Sequence, residues 1–111
     1  MKAAFLTTAT NDVANVISAW DSYNEPSFRV TFNHMEPVDD TAIVREVKAL
    51  DPNVIFYIGS VSTLGMPSRA ALKSLRNIAP SIHLCFDGAD RPWHDLLLEY
   101  TLGNCFDLQV S

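Results

Sequence analysis

Two hydrophobic periods alternate along the chain. Short apolar runs or alternating apolar and polar positions give way, repeatedly, to apolar residues spaced three and four apart, which is the pattern of βα units feeding a mostly parallel sheet. Residues 2–7, ending in Phe5, Leu6 and Thr7, predict a first strand. Thr10 or Asn11 can cap a helix whose apolar face is Val13, Val16, Ile17 and Trp20, after which the polar stretch 21–26 returns the chain to the sheet. Phe28, Val30 and Phe32 then alternate with Arg29, Thr31 and Asn33, as a half-exposed second strand does.

The same grammar continues. Asp39, Asp40 and Thr41 offer caps for a second helix with Ile43, Val44, Val47 and Leu50 on one side, and Asp51 before Pro52 ends it. Residues 54–58 form a continuous apolar third strand. Pro67 and Ser68 open a third helix bearing Leu72, Leu75 and Ile78, and residues 82–86 make a fourth strand. Asp90 caps a further helix with Trp93, Leu96, Leu97 and Tyr100 facing inward and Gly103 as its C-cap. Phe106, Leu108 and Val110 alternate as a fifth strand that needs apolar cover on one face.

Strand character sets strand order, because central parallel strands are apolar on both faces while edge strands alternate. Strands one, three and four are central on this criterion, and two and five lie at the edges. The predicted fold is a Rossmann- or flavodoxin-like three-layer α/β sandwich, a single domain over 1–111 with a five-stranded parallel sheet ordered 2-1-3-4-5. A ligand crevice then falls beyond the ends of strands one and three, where the connections diverge. A doubly wound domain usually follows its fifth strand with a covering helix, so the sequence reads as a fragment of a longer protein that would dimerise through, or pack a missing segment against, the strand-five side.

Charge and composition narrow the partners. Eight Lys and Arg against thirteen Asp and Glu give a net charge of −5, the wrong sign for a nucleic-acid binder that works by neutralising phosphates. No apolar run reaches the length of a spanning helix, and the N-terminus lacks a signal-peptide core. Cys85 and Cys105 lack metal-finger spacing and read as reduced, buried thiols, so the expected location is cytoplasmic.

Candidate chemistry gathers in three loops. In 59–67 the hydroxyls of Ser60, Ser62 and Thr63, between Gly59 and Gly65 and before a helix start, suit a sugar hydroxyl or a phosphate, and equally make an ordinary glycine-hinged turn. Thr8, Thr10 and Asn11, with Thr7 and Asp12, could hydrogen-bond a ligand, yet are also what a strand end and a cap select. In 85–94, Asp87 leaves a central strand where packing does not need an acid, so it can accept two hydroxyls of a polyol. Asp90 and His94 could join it in acid–base work, or serve as N-cap and solvated helix residue.

Other constellations are weaker. The acidic 34–40 loop, with His34, Glu36, Asp39 and Asp40, lacks the alternation of a calcium site, and His83 among apolar neighbours reads as a hydrogen-bonded core histidine. No glycine pattern matches a dinucleotide fingerprint or a P-loop, so no nucleotide cofactor and no metal is expected. A phosphoacceptor receiver domain shares the strand order but needs an Asp where Gly59 and Ser60 end strand three, and the Asp-x-His-x-x-Gly stretch of a cobalamin module is missing.

Four stretches carry a family resemblance. Asp51-Pro52-Asn53-Val54-Ile55-Phe56-Tyr57-Ile58-Gly59-Ser60, then Leu84-Cys85-Phe86-Asp87-Gly88-Ala89-Asp90-Arg91-Pro92-Trp93-His94, with Leu72 to Pro80 between them and Cys105-Phe106-Asp107-Leu108 after, resemble the N-terminal region of bacterial two-domain glycosyltransferases of the CgeB-like group. The resemblance covers the second half of the chain best. It implies an acceptor-side domain whose loops after strands one, three and four meet a sugar or glycan, which here are the loops carrying Thr8, Thr10, Asn11, Ser60, Ser62, Thr63, Asp87 and Asp90. Read from the residues alone, Asp87 and His94 are the catalytic candidates, and a small hydrolase using them ranks last because no nucleophile elbow or paired base accompanies them. The resemblance also implies a separate C-terminal donor-binding domain, without which the chain is inactive, and an alternative strand order 3-2-1-4-5. The second expectation, drawn from the residues alone, is a non-catalytic flavodoxin-like ligand-binding or protein-interaction module.

Overall fold

The computed structural model describes residues 1–8, 11–24, 27–32, 36–58, 66–84 and 105–110. Along the chain run β1 (Ala3–Thr8), α1 (Asn11–Asp21), β2 (Phe28–Phe32), α2 (Asp40–Leu50), β3 (Val54–Ile58), α3 (Arg69–Arg76), β4 (Ser81–Leu84) and β5 (Leu108–Val110). All four strand pairings are parallel, and the sheet order is β2-β1-β3-β4-β5. This is the order that strand apolarity predicts. The alternative, with β3 at an edge, is not what the chain adopts, since Ile55, Tyr57 and Ile58 are all buried and would be uncovered there.

The pleat sends alternate residues to two cores. On one side Ala4, Leu6, Ile55 and Tyr57 meet Ile43 and Val47 of α2 and Leu72 and Leu75 of α3. On the other, Ala3, Phe5, Val54 and Ile58 meet Ile17 of α1, with Val16 and Trp20 packed around it. Three rings knit that second core: Phe5 stacks on Phe56 at 5.0 Å, and Trp20 meets both edge-on at 6.3 and 5.2 Å. Such pairs add about 0.5–1.5 kcal/mol each beyond simple burial. The helices on both faces make this a flavodoxin-like three-layer sandwich.

Local chemistry starts and stops each helix. Asp39 is the N-cap of α2, accepting the Ala42 N–H at 3.0 Å, while Asp40 complements the helix dipole from the first turn. Asp51 ends the helix in the left-handed region, with φ 49°, as Pro52 forbids a further helical amide. Lys2 then locks the junction: its Nζ donates to the Leu50 carbonyl at 2.9 Å, and its N–H to Asn53 Oδ1 at 2.7 Å. Ser68 caps α3 through the Ala71 N–H at 3.1 Å, and its own N–H donates to Asp40 Oδ1, so the starts of α2 and α3 are tied together.

The end of the sheet departs from the expected alternation. The fifth strand begins at Leu108, two residues later than predicted, because Phe106 turns into the α2/α3 core and stacks on Tyr57 at 5.6 Å. Phe106 therefore does not share a face with Leu108 and Val110. Those two pair in register with Ile82 and Leu84, on the α1 side, and stay exposed. Cys105 is buried as expected, whereas Cys85, Trp93, Leu96, Leu97 and Tyr100 lie outside the described residues.

Candidate functional site

The strand ends place the predicted crevice. Thr7 lies in register beside Ile58, so β1 and β3 finish side by side at the carboxyl edge, and from there β1 connects to β2 on one side and β3 to β4 on the other. That divergence is where open α/β sheets hold ligands. Thr8 closes β1 and Asn11 opens α1, so the backbone carries both to this edge. Thr10, Ser60, Ser62, Thr63, Asp87, Asp90 and His94 lie outside the described residues, and with them the catalytic and sugar-binding expectations. Among the described residues no cluster of His, Cys, Asp and Glu could hold a metal ion.

The best-formed polar group sits at the opposite, amino-terminal end of the sheet. The Asp107 carboxylate accepts from the Ser81 N–H at 2.8 Å and from Arg76 Nε and Nη2 at 3.0 and 2.8 Å, while the Asp107 N–H donates to the Ser81 carbonyl. The Ser81 amide bond, with the Arg76 guanidinium behind it, holds the carboxyl below the usual carboxylate range against some desolvation. Both carboxylate oxygens are engaged, Oδ1 by Arg76 and Oδ2 by Ser81. Asp107 is thus a staple joining α3, β4 and β5 rather than a base, and the shallow basin lined by Lys73, Arg76, Asn77 and Asp107 is its surface. No motif spacing announces it, because its partners stand 26 and 31 residues away.

His83 is a core histidine, as its neighbours in sequence predict. Its Nδ1 lies 2.8 Å from Gln109 Oε1, which as an acceptor assigns the proton to Nδ1. Tyr57 and Phe106 pack their rings against it at 5.2 and 4.7 Å, and it is fully buried. Cys105 is buried nearby. Desolvation pushes its thiol upward although Lys73, Arg69 and Arg76 pull the other way, so it stays a protonated, unreactive thiol.

Among the described residues, apolar side chains are left exposed at the β5 end of the sheet. On the α1 side of the sheet, α1 covers β1 and β3, while Ile82 and Leu84 of β4 are half-buried and Leu108 and Val110 of β5 are 53% and 45% exposed. Parallel sheets normally bury both faces. Sequence alternation flagged Leu108 and Val110 as needing cover, and the structure shows which face needs it.

The molecule is thus a flavodoxin-like α/β fold with a topological switch point between β1 and β3 and exposed apolar side chains on β5. No family model and no curated protein matches the chain. Among solved structures, it is similar to a protein described as pilus assembly-related, from Burkholderia pseudomallei K96243, with a TM-score of 0.59 and 13% identity over 99% of this chain and 77% of that one. A likeness at that identity is one of fold. Among the described residues no helix is long and apolar enough to cross a membrane.

Proposed function

We propose that the chain is a non-catalytic, flavodoxin-like protein-interaction module whose working surface is the sheet corner at β4 and β5. The observation that carries this reading is the exposure of Leu108 and Val110 beside half-buried Ile82 and Leu84, on a sheet whose β1 and β3 are covered by helices on both faces. Contiguous exposed apolar surface marks binding sites for protein or lipid in a folded domain. Among the described residues beside it, Asp107 is bonded to Arg76 and Ser81, and His83 Nδ1 lies against Gln109. A fold shared with a pilus assembly-related protein is consistent with work done by contact rather than by chemistry.

The acceptor-side glycosyltransferase reading uses a different region, the crevice beyond β1 and β3. Two titrations separate them. An apolar dye such as anilinonaphthalene sulfonate is expected to bind the chain and to lose that binding in Leu108→Ser/Val110→Ser, with the fold intact by circular dichroism. Micromolar affinity for a uridine- or guanosine-diphosphate sugar, roughly −8 kcal/mol, would replace this reading with the transferase one, and so would specific binding of a glycan acceptor that shifts the amides of Thr7 and Ile58.

A further inference from the structure

At the amino-terminal end of the sheet the strands are tied together in two chemically different ways. In the centre, β1 joins β3 through Lys2: its N–H donates to Asn53 Oδ1 at 2.7 Å, its Nζ to the Leu50 carbonyl at 2.9 Å, and the Asn53 N–H returns to the Lys2 carbonyl at 2.8 Å. A side-chain amide and an ammonium keep their charge as pH falls. At both edges the tie is a carboxylate. Asp21, at the end of α1, accepts the Ser27 N–H at 3.0 Å one residue before β2 begins, with Arg29 of β2 3.7 Å away. Asp107, one residue before β5, accepts the Ser81 N–H at 2.8 Å while its own N–H donates to the Ser81 carbonyl at 3.0 Å, so a single aspartate closes the first contact between β4 and β5.

We propose that Asp21 and Asp107 are acid-sensitive latches, whose protonation loosens β2 and β5 at the two sides of the sheet while β1 and β3 stay paired. A neutral carboxyl accepts an amide more weakly than a carboxylate does, and it gives up the charge that the neighbouring arginine meets. Solvent reaches both latches in the folded chain, since the side chains of Asp21 and Asp107 are 30% and 37% exposed. In the order of strands β2 and β5 each have one neighbour and β1 and β3 have two, so losing one tie weighs more on β2 and β5.

The surrounding charges agree with the direction of the switch. Among the described residues, Asp21 faces Arg29, and Asp107 faces Arg76 with Lys73 of α3 on the same basin; the Cys105 thiol is pushed upward and stays neutral as pH falls. The Ser27 amide, with Arg29 behind it, holds Asp21 below the usual carboxylate range against some desolvation, as the Ser81 amide and Arg76 hold Asp107. Each tie is therefore complete above the unfolded value of about 3.9 and is lost as pH falls through the lower folded one. The other titratable side chain on the β4 and β5 pair is His83, against Gln109, and the test below separates it from Asp107. The proposal goes beyond the interaction-module reading and stands or falls apart from it.

Amide hydrogen exchange from pH 6 down to pH 2, expressed as protection factors so that the intrinsic pH dependence drops out, tests the latches on the whole chain. The expected result is a loss of protection of about fivefold at Ser81 and Asp107 and a smaller loss at Ser27, with Leu6 of β1 and Ile55 of β3 unchanged. At pH 6, Asp107→Asn is expected to reproduce the loss at Ser81 alone of these sites on the β4 and β5 pair's far neighbours, leaving Ser27 as in the wild type, and Asp21→Asn the loss at Ser27, leaving Ser81 as in the wild type. Each variant's own side of the sheet then ceases to respond to acid. A loss of equal size in all strands overturns the proposal, and so does a response at Ser81 that persists undiminished in Asp107→Asn, which would belong to His83. Should a variant fail to fold, the wild-type profile decides, because a loss confined to the two sides and a loss across the whole sheet are different results.

Discussion

Asp107 shows how much one surface residue can hold. It receives the Ser81 amide and both faces of contact from Arg76, so replacing it leaves a β4 amide and a guanidinium to find water instead. Asp107→Asn is expected to cost about 1 kcal/mol, the scale of a solvent-screened hydrogen-bond group, read as a lower denaturant midpoint at neutral pH. Because its folded pKa lies below the unfolded value of about 3.9, its contribution is fully present above that value and is lost as pH falls through the folded one. Asp21, bonded to the Ser27 amide, acts with the same sign. The variant's melting temperature should therefore fall less between pH 5 and pH 3 than that of the wild type, and parallel curves would remove Asp107 from the acid limb. His83 could be read in the sequence as a core residue because its neighbours are apolar. Asp107 could not, since its meaning depends on Arg76 and Ser81 arriving from other elements.

At the scale of elements, caps were legible as a set but not as a choice. Asp39, Asp40 and Thr41 all fit the start of α2, and the structure uses Asp39 for the cap and sends Asp40 to the Ser68 amide, a partner 28 residues away. Local pattern cannot rank residues whose partner is tertiary. Ser68→Ala is expected to destabilise by about 1 kcal/mol through loss of the Ala71 bond, checked by urea unfolding. At the other end of α2, Asp51 adopts φ 49° without being glycine. Asp51→Gly should be stabilising by up to about 1 kcal/mol, the left-handed strain less the added freedom of the unfolded chain; a drop in melting temperature would show that the Asp51 side chain does more than tolerate the turn. The late start of β5 was illegible for a similar reason. Phe106 fits the alternation, but its ring finds Tyr57 and His83 in the other core.

For the whole molecule, strand order was legible because burial on two faces leaves a compositional mark: β1 is apolar from Ala3 to Leu6 and β3 from Val54 to Ile58, while β2 alternates. The switch point follows from that order alone, while Thr10, Ser60, Ser62, Thr63, Asp87 and Asp90 fall outside the described part of the chain. The distribution of apolar residues nevertheless divides those that hold the fold from those that do not. Leu72, 1% exposed between α3 and the sheet, is needed by the core, and Leu72→Ala should cost about 2–5 kcal/mol for lost transfer energy plus the cavity left behind. Leu108 and Val110 are comparable in chemistry but half in water, so polar replacement removes little burial in the monomer. Leu108→Ser/Val110→Ser is expected to stay within about 1 kcal/mol of the wild type, measured in dilute solution where association adds nothing. A loss as large as that of Leu72→Ala would mean that the two side chains serve the fold itself. A small loss would leave a pair of large apolar residues at the sheet's end whose burial the described residues do not supply.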